Sequence, residues 1–314
     1  MLLFESITWQ TSLMWFVVLL GLMLVNDITR RSKWLSILVY IALPIILTFT
    51  LWQHTAANGS SSDDWFHWLK TYSSLAGVVG FMYLRYNKKA QSSKFWLMFP
   101  ALILSINIME AVLRDFEVYR LYSGNLYGSV VNTITLQGGS WNIMNGIAGI
   151  LNIIALSGWV GIFVTKGKYN DMVWTDQLWW WIISYDLWNF AYTYNCVGDH
   201  AFYVAALIIS PTIAAFVMGK GAWLQHRAQT LGLWMMFVMS FPSFQDTSIF
   251  AVKSSHNSSA LFVISALALA SNVALILYHT YKIVKSKRNP FTQEVYIDEP
   301  AYAKVVVRKQ EILR

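Results

Sequence analysis

The chain has 314 residues, of which 56% are hydrophobic and only 12% charged, and its mean hydropathy is +0.45. A soluble domain carries about twice that charged share, so composition excludes one. The net charge of +7 gathers in short connections and the tail, where membrane topology puts basic residues, and so does not indicate a nucleic-acid partner.

Apolar runs recur along the whole sequence, each near the roughly 17–25 residues that a spanning helix needs, and the short alternating segments of a β-barrel are missing. The pattern predicts an all-α, polytopic transmembrane helical bundle of about nine spans, at 9–26, 34–51, 69–84, 95–112, 141–164, 178–194, 201–218, 228–244 and 260–283. Before the first run stands Glu5 and no Lys or Arg, so that run reads as a retained helix rather than a cleaved signal. Between the second and third runs, 53–68 is a polar connection around Asn58-Gly59-Ser60. The third run spaces Ser74, Gly77 and Gly80 by three, a close-packing pattern. The stretch 114–140 is a long connection, either a lid, a re-entrant piece or plain surface loop. Pro242 shortens or breaks the eighth run.

With the N-terminus outside and the C-terminus cytoplasmic, basic residues fall in the cytoplasmic connections: Arg30 to Lys33, Arg85 to Lys94, Lys166 and Lys168, Lys220 and Arg227, and a tail from Lys282 to Arg314. Only Lys70, Arg114, Arg120 and Lys253 of the 23 lie elsewhere, as the positive-inside rule requires. The chain thus divides into a transmembrane helical domain, 1–288, and a short cytoplasmic tail, 289–314, which Pro290 and Pro300 make a solvated, partly disordered segment.

Polar residues within the spans carry the functional reading. Asp186 lies near the middle of the sixth span, and at 3.6 residues per turn it shares a face with Tyr185, Asn189, Tyr192 and Thr193. A mid-bilayer carboxylate costs about 2.5–3.5 kcal/mol on insertion scales, so it faces the protein interior or water. Asn107, Glu110 and Arg114 follow one another at i, i+3 and i+7 in the fourth span, and Asn142, Asn145 and Asn152 form a stripe in the fifth. Asp199, His200, Gln245 and Asp246 lie at the same outer level. If these faces converge they make an outward-half pocket centred on Asp186, whose substrate-binding candidates are Asp186, Asn189, Tyr185, Tyr192, Glu110, Asn107, Asn145 and Asn142. Each has a plainer alternative. Asp186 could bond to a neighbouring helix, Arg114 at i+4 could neutralise Glu110, and the asparagines could be interhelical glue worth roughly 0.6–2 kcal/mol. Trp179, Trp180 and Trp181 suit an aromatic belt at the membrane boundary. The single cysteine, Cys196, and six scattered histidines show no metal-ligand spacing, and there is no phosphate loop or nucleophile elbow. No cofactor, metal or catalytic set is expected.

The string Tyr185-Asp186-Leu187-Trp188-Asn189-Phe190-Ala191-Tyr192-Thr193-Tyr194-Asn195 resembles the signature of a bacterial family of multi-pass membrane proteins with no assigned function. With the Asn-rich fifth span before it, the resemblance covers roughly a third of the chain. It implies a bacterial inner-membrane setting and no activity.

The leading expectation is a transporter or permease, with the lipid bilayer as one partner and a small organic cation, or a solute moved with a proton on Asp186, as the other. The alternatives are an integral membrane enzyme using Asp186 and Glu110 as acid and base, or a receptor, lipid-binding protein or assembly factor.

Overall fold

A computed structural model describes residues 2–125, 128–219 and 221–313, with side chains up to Val306. Lys220 and Arg314 lie outside the described residues, as do the side chains of Arg308 and Lys309. Each predicted span falls on a helix. These are α1 (Trp9–Arg31), α2 (Lys33–Phe49), α3 (Trp65–Tyr86), α4 (Lys94–Tyr122) and α5 (Ser140–Ile154). They continue with α6 (Trp179–Cys196), α7 (Ala201–Val217), α8 (Trp223–Ser240) and α9 (Ser258–Ser286), and the tail adds α10 (Pro300–Leu313). Two small antiparallel hairpins interrupt the helices: β1 (Ser129–Val131) with β2 (Ile134–Leu136), and β3 (Phe163–Val164) with β4 (Met172–Val173).

Local chemistry accounts for the ends. Thr8 and Thr11 close a reciprocal capping box on α1, and the Asp64 side chain accepts from the backbone N–H of His67 to start α3. Pro44 has no N–H to give the helix, and the turn before it, Leu38–Ala42, widens into a π-turn within α2. Helix α8 ends at Ser240, just before Pro242.

Among the described residues, four helical stretches are long and apolar enough to cross a bilayer: Trp9–Arg31, Lys94–Tyr122, Gly198–Val217 and Ser258–Ser286. Phe16, Leu20 and Leu24 on α1 and Phe262 and Leu267 on α9 point outward. So much uncovered apolar surface marks an integral membrane protein, with lipid as the surrounding solvent.

Three expectations need correction. The fifth span does not reach residue 164: α5 stops at Ile154, Gly158 turns the chain at φ +64, and Phe163 and Val164 are already strand. The long connection begins later than 114, because α4 runs on to Tyr122; Arg114 is helical and pairs with Glu117 at 2.6 Å instead of Glu110. The tail is seated on the bundle rather than solvated. Val295 and Tyr296 are buried against Leu178, with Trp180 and Tyr278 packed around them.

The interior is built on α6. Trp181, Tyr185, Trp188 and Tyr192 stack in succession along one side of it, with ring centroids 5.3, 5.5 and 6.3 Å apart. Trp181 is therefore a core residue, and of the three consecutive tryptophans Trp179 is the exposed one. Helices α4 and α5 pack closely beside this ladder because Gly149 leaves room. A Cβ there would lie 2.5 Å from Val112 Cγ2 and 2.7 Å from Trp188 Nε1.

At the far end of α3 from His67, Arg85 is buried and donates to the carbonyl oxygens of Arg30, Tyr169 and Asn170. Arg30 holds Asp171 at 2.8 Å, and Gln225 donates to the same carboxylate. The β3–β4 hairpin is thereby bolted across that end of α1, α3 and α8.

The tail is held by Asp176, which accepts from Ser157 Oγ at 2.7 Å and from the backbone N–H groups of Val295 and Tyr296 at 2.6 and 3.3 Å. Burial pushes its carboxyl up from 3.8 to about 6, although these hydrogen bonds favour the charged form.

Two predictions follow from this packing. Gly149→Ala should lower the melting temperature, at a cost of about 1–3 kcal/mol for overpacking, whereas Gly77→Ala, whose Cβ would sit an ordinary 3.6 Å from Ile103, should be tolerated. The docked tail keeps a proton on Asp176 to a higher pH than an exposed carboxyl would. Its seat should therefore be tightest below pH 4 and weaken as pH rises through 6. Hydrogen-exchange protection of the Val295 and Tyr296 amides reports this directly, and Asp176→Ala should lose it.

Candidate functional site

Helices α3, α4, α6, α7 and α8 surround a narrow cavity of about 60 Å³. It runs from His67, His200 and Gln245, beyond or near the helix ends, down to Tyr185, nearly two turns inside α6, and Arg227, in the second turn of α8. Phe66, Trp188, Tyr192 and Trp234 give it an aromatic wall. Its basic and imidazole side chains are Lys70, Arg227, His67 and His200, and among the described residues no Asp or Glu lines it.

Lys70 is neutralised from behind. Its Nζ donates to Asn107 Oδ1 at 2.9 Å, to the Asn107 carbonyl at 2.7 Å and to Glu110 Oε2 at 3.2 Å, while Ser73 Oγ donates to the same Glu110 oxygen. Arg227 has no such partner. It is 5% exposed, its Nε donates to Tyr185 Oη at 3.2 Å, and its Nη1 has no hydrogen-bond partner. No carboxylate among the described residues comes within ion-pair distance of it. Tyr185 Oη also accepts from Asn189 Nδ2 at 2.8 Å, and the buried Tyr192 Oη is unpartnered.

A second, smaller cavity, of about 30 Å³, lies between Ser73, Gly77, Phe81, Ile103 and Leu224 and shares Asn107, Tyr185, Arg227 and Leu231 with the first. The guanidinium of Arg227 thus stands where the two spaces meet.

At the other end, each imidazole is tethered to a carboxylate. His67 Nδ1 lies 3.0 Å from Asp64 Oδ2 and His200 Nε2 lies 3.0 Å from Asp246 Oδ1, with the two imidazole rings 6.3 Å apart. Burial alone would raise Asp64, but the facing imidazole and the His67 backbone N–H hold its carboxyl down at about 2.

Of the residues marked from sequence, Tyr185, Asn189, Tyr192 and Asn107 line the main cavity. Asp186 does not. One residue on from Tyr185 is 100° around the helix, and that turn carries Asp186 to α7, where its Oδ2 accepts from Thr212 Oγ1 at 2.7 Å. Trp223 Nε1 in turn donates to that hydroxyl at 3.0 Å. Glu110 sits behind Lys70. Asn142 and Asn145 serve a different carboxylate, donating to Asp115 at 3.0 and 2.7 Å beside Cys196 Sγ at 3.4 Å.

Sequence reasoning missed Lys70, Arg227, His67 and Asp115 as interior groups. Hydropathy windows stop at charged residues, so 69–84, 95–112 and 228–244 each clipped off a turn or more that is helical. Extending each run by one turn would have exposed Arg227 and Asp115. Among the described residues no group of three or more His, Cys, Asp or Glu side chains is placed to hold a metal.

No curated protein and no solved structure matches the chain. One family model does, from residue 5 to residue 308, which is nearly its whole length. The chain belongs to that family, the family of unknown function DUF5692.

Proposed function

We propose that this protein is a permease-type membrane protein whose cavity binds a small organic anion with an apolar body. The observation that carries the reading is Arg227. A buried guanidinium without a carboxylate is costly, several kcal/mol even after relaxation, and an anionic ligand supplies the missing partner. Lys70, His67, His200 and the amides of Asn189 and Gln245 add donors, and the aromatic wall suits an apolar body. This revises the expected ligand. A cation drawn to Asp186 has less support, since that carboxylate is engaged with Thr212 and lies off the cavity lining. Acid–base catalysis by Asp186 and Glu110 is likewise weakened, because neither lines either of the two cavities.

The nine-span topology with the N-terminus outside completes the proposal. It puts the cavity's histidine end outward and the hairpin bolted by Arg85 on the basic, cytoplasmic side of a bacterial inner membrane. The protein is then outward-open, and the step from the first cavity to the second, past Arg227, is the route of translocation.

Benzoate and benzylammonium share a ring and differ in charge. Benzoate should raise the melting temperature of the purified protein in a concentration-dependent manner, by about 2.7 kcal/mol of added stability at one hundred times its dissociation constant, and benzylammonium should not. Asp186→Asn should keep the benzoate response. Protection by benzylammonium that Asp186→Asn abolishes would return the site to Asp186. Uptake of labelled benzoate into vesicles separates a permease from a receptor.

A further inference from the structure

A groove of about 550 Å³ runs beneath α10, between the tail and the adjoining ends of α6, α7 and α8. We propose that it is a binding site for an anionic phospholipid, distinct from the central cavity. Leu178, Trp179, Ile182, Phe216 and Trp223 make its walls apolar. Trp179, the first residue of α6, is 52% exposed, and Phe216, at the end of α7 in one of the four stretches able to cross the bilayer, is 59% exposed. A groove at that level lies where acyl chains give way to headgroups and where aromatic side chains collect.

Two polar features give the groove a chemistry. Gln177 lines it and is only 5% exposed, yet neither its Oε1 nor its Nε2 has a partner among the described residues. Buried amides are seldom left so. A glycerophospholipid supplies both complements: an ester carbonyl to accept from Nε2 and a headgroup hydroxyl to donate to Oε1. At the rim, Lys304 has no ion-pair partner among the described residues, whereas the rim carboxylate Glu299 is already held by Lys282 Nζ at 2.8 Å and Tyr278 Oη at 2.6 Å. The free charge at the mouth is therefore positive, matching a phosphodiester. Gly221 lets α10 come this close: a Cβ there would meet Val305 Cγ1 at 2.7 Å. The tail helix and the groove are thus one construction.

The test uses the full chain in a neutral detergent, titrated with phosphatidylglycerol, phosphatidylcholine of the same acyl chains, or glycerol 3-phosphate. Phosphatidylglycerol is expected to raise the melting temperature, and the other two are not. Lys304→Gln, at the exposed rim, should need about fivefold more phosphatidylglycerol for the same shift, the value of one lysine near an anionic surface. Ala301→Trp, which fills the groove, should abolish the response. Equal protection by phosphatidylcholine, or by glycerol 3-phosphate alone, overturns the proposal. So does an undiminished response in Lys304→Gln, which decides the matter even if Ala301→Trp fails to fold.

Discussion

A bilayer offers no partner to a buried polar group, so every such group in this chain has to be satisfied from within or by a ligand. Most interior charges meet that constraint. Asp115 draws on two asparagine amides and Cys196, Asp186 on Thr212, Glu110 on Lys70 and Ser73, and Asp171 on Arg30 and Gln225. Arg227, like Asp115 and Asp186, is paired with no opposite charge among the described residues, and of the three it is the one that lines both cavities. Its one bond to the neutral Tyr185 hydroxyl satisfies a direction without balancing a charge. The functional reading grows from that imbalance.

The scaffold makes the imbalance sustainable. The aromatic ladder on α6 forms one wall of the cavity and at the same time locks α6 to α8 through Trp223, whose ring lies 5.0 Å from Tyr185 and 5.7 Å from Trp181. Arg227 sits one turn further along α8 and cannot retreat without dismantling that contact. Meanwhile the β3–β4 hairpin closes the opposite end through Arg85 and Asp171.

Much of the fold was legible because hydropathy is a collective property: each apolar run marks a helix even where its ends are misjudged. The phase of a helix and the length of its last turns are finer matters. Asp186 and Tyr185 are neighbours in sequence, and the 100° between them separates a contact with α7 from a place in the cavity wall. The asparagine stripe on α5 was visible at its spacing, but its partner, Asp115, fell just past the predicted end of the fourth span. Arg227 looked like a loop charge, since a window average cannot distinguish a charge that ends a helix from one buried in its second turn. The docked tail was illegible for another reason. Its prolines and charges are those of a free segment, and it is tertiary contacts, among them the bonds from Asp176, Tyr278 and Lys282, that hold it down.

The stability of ligand-free Arg227→Met, measured beside the parent and followed by benzoate titration, tests the central claim most directly. If the guanidinium is kept unpaired for an anion, its replacement by an apolar side chain of similar length should leave the empty protein as stable or more so, since it removes a buried charge whose desolvation no partner offsets. The benzoate response should vanish. A loss of about 3–5 kcal/mol, the cost of breaking a buried pair, would make Arg227 a structural residue, and a retained benzoate response would place the anion elsewhere.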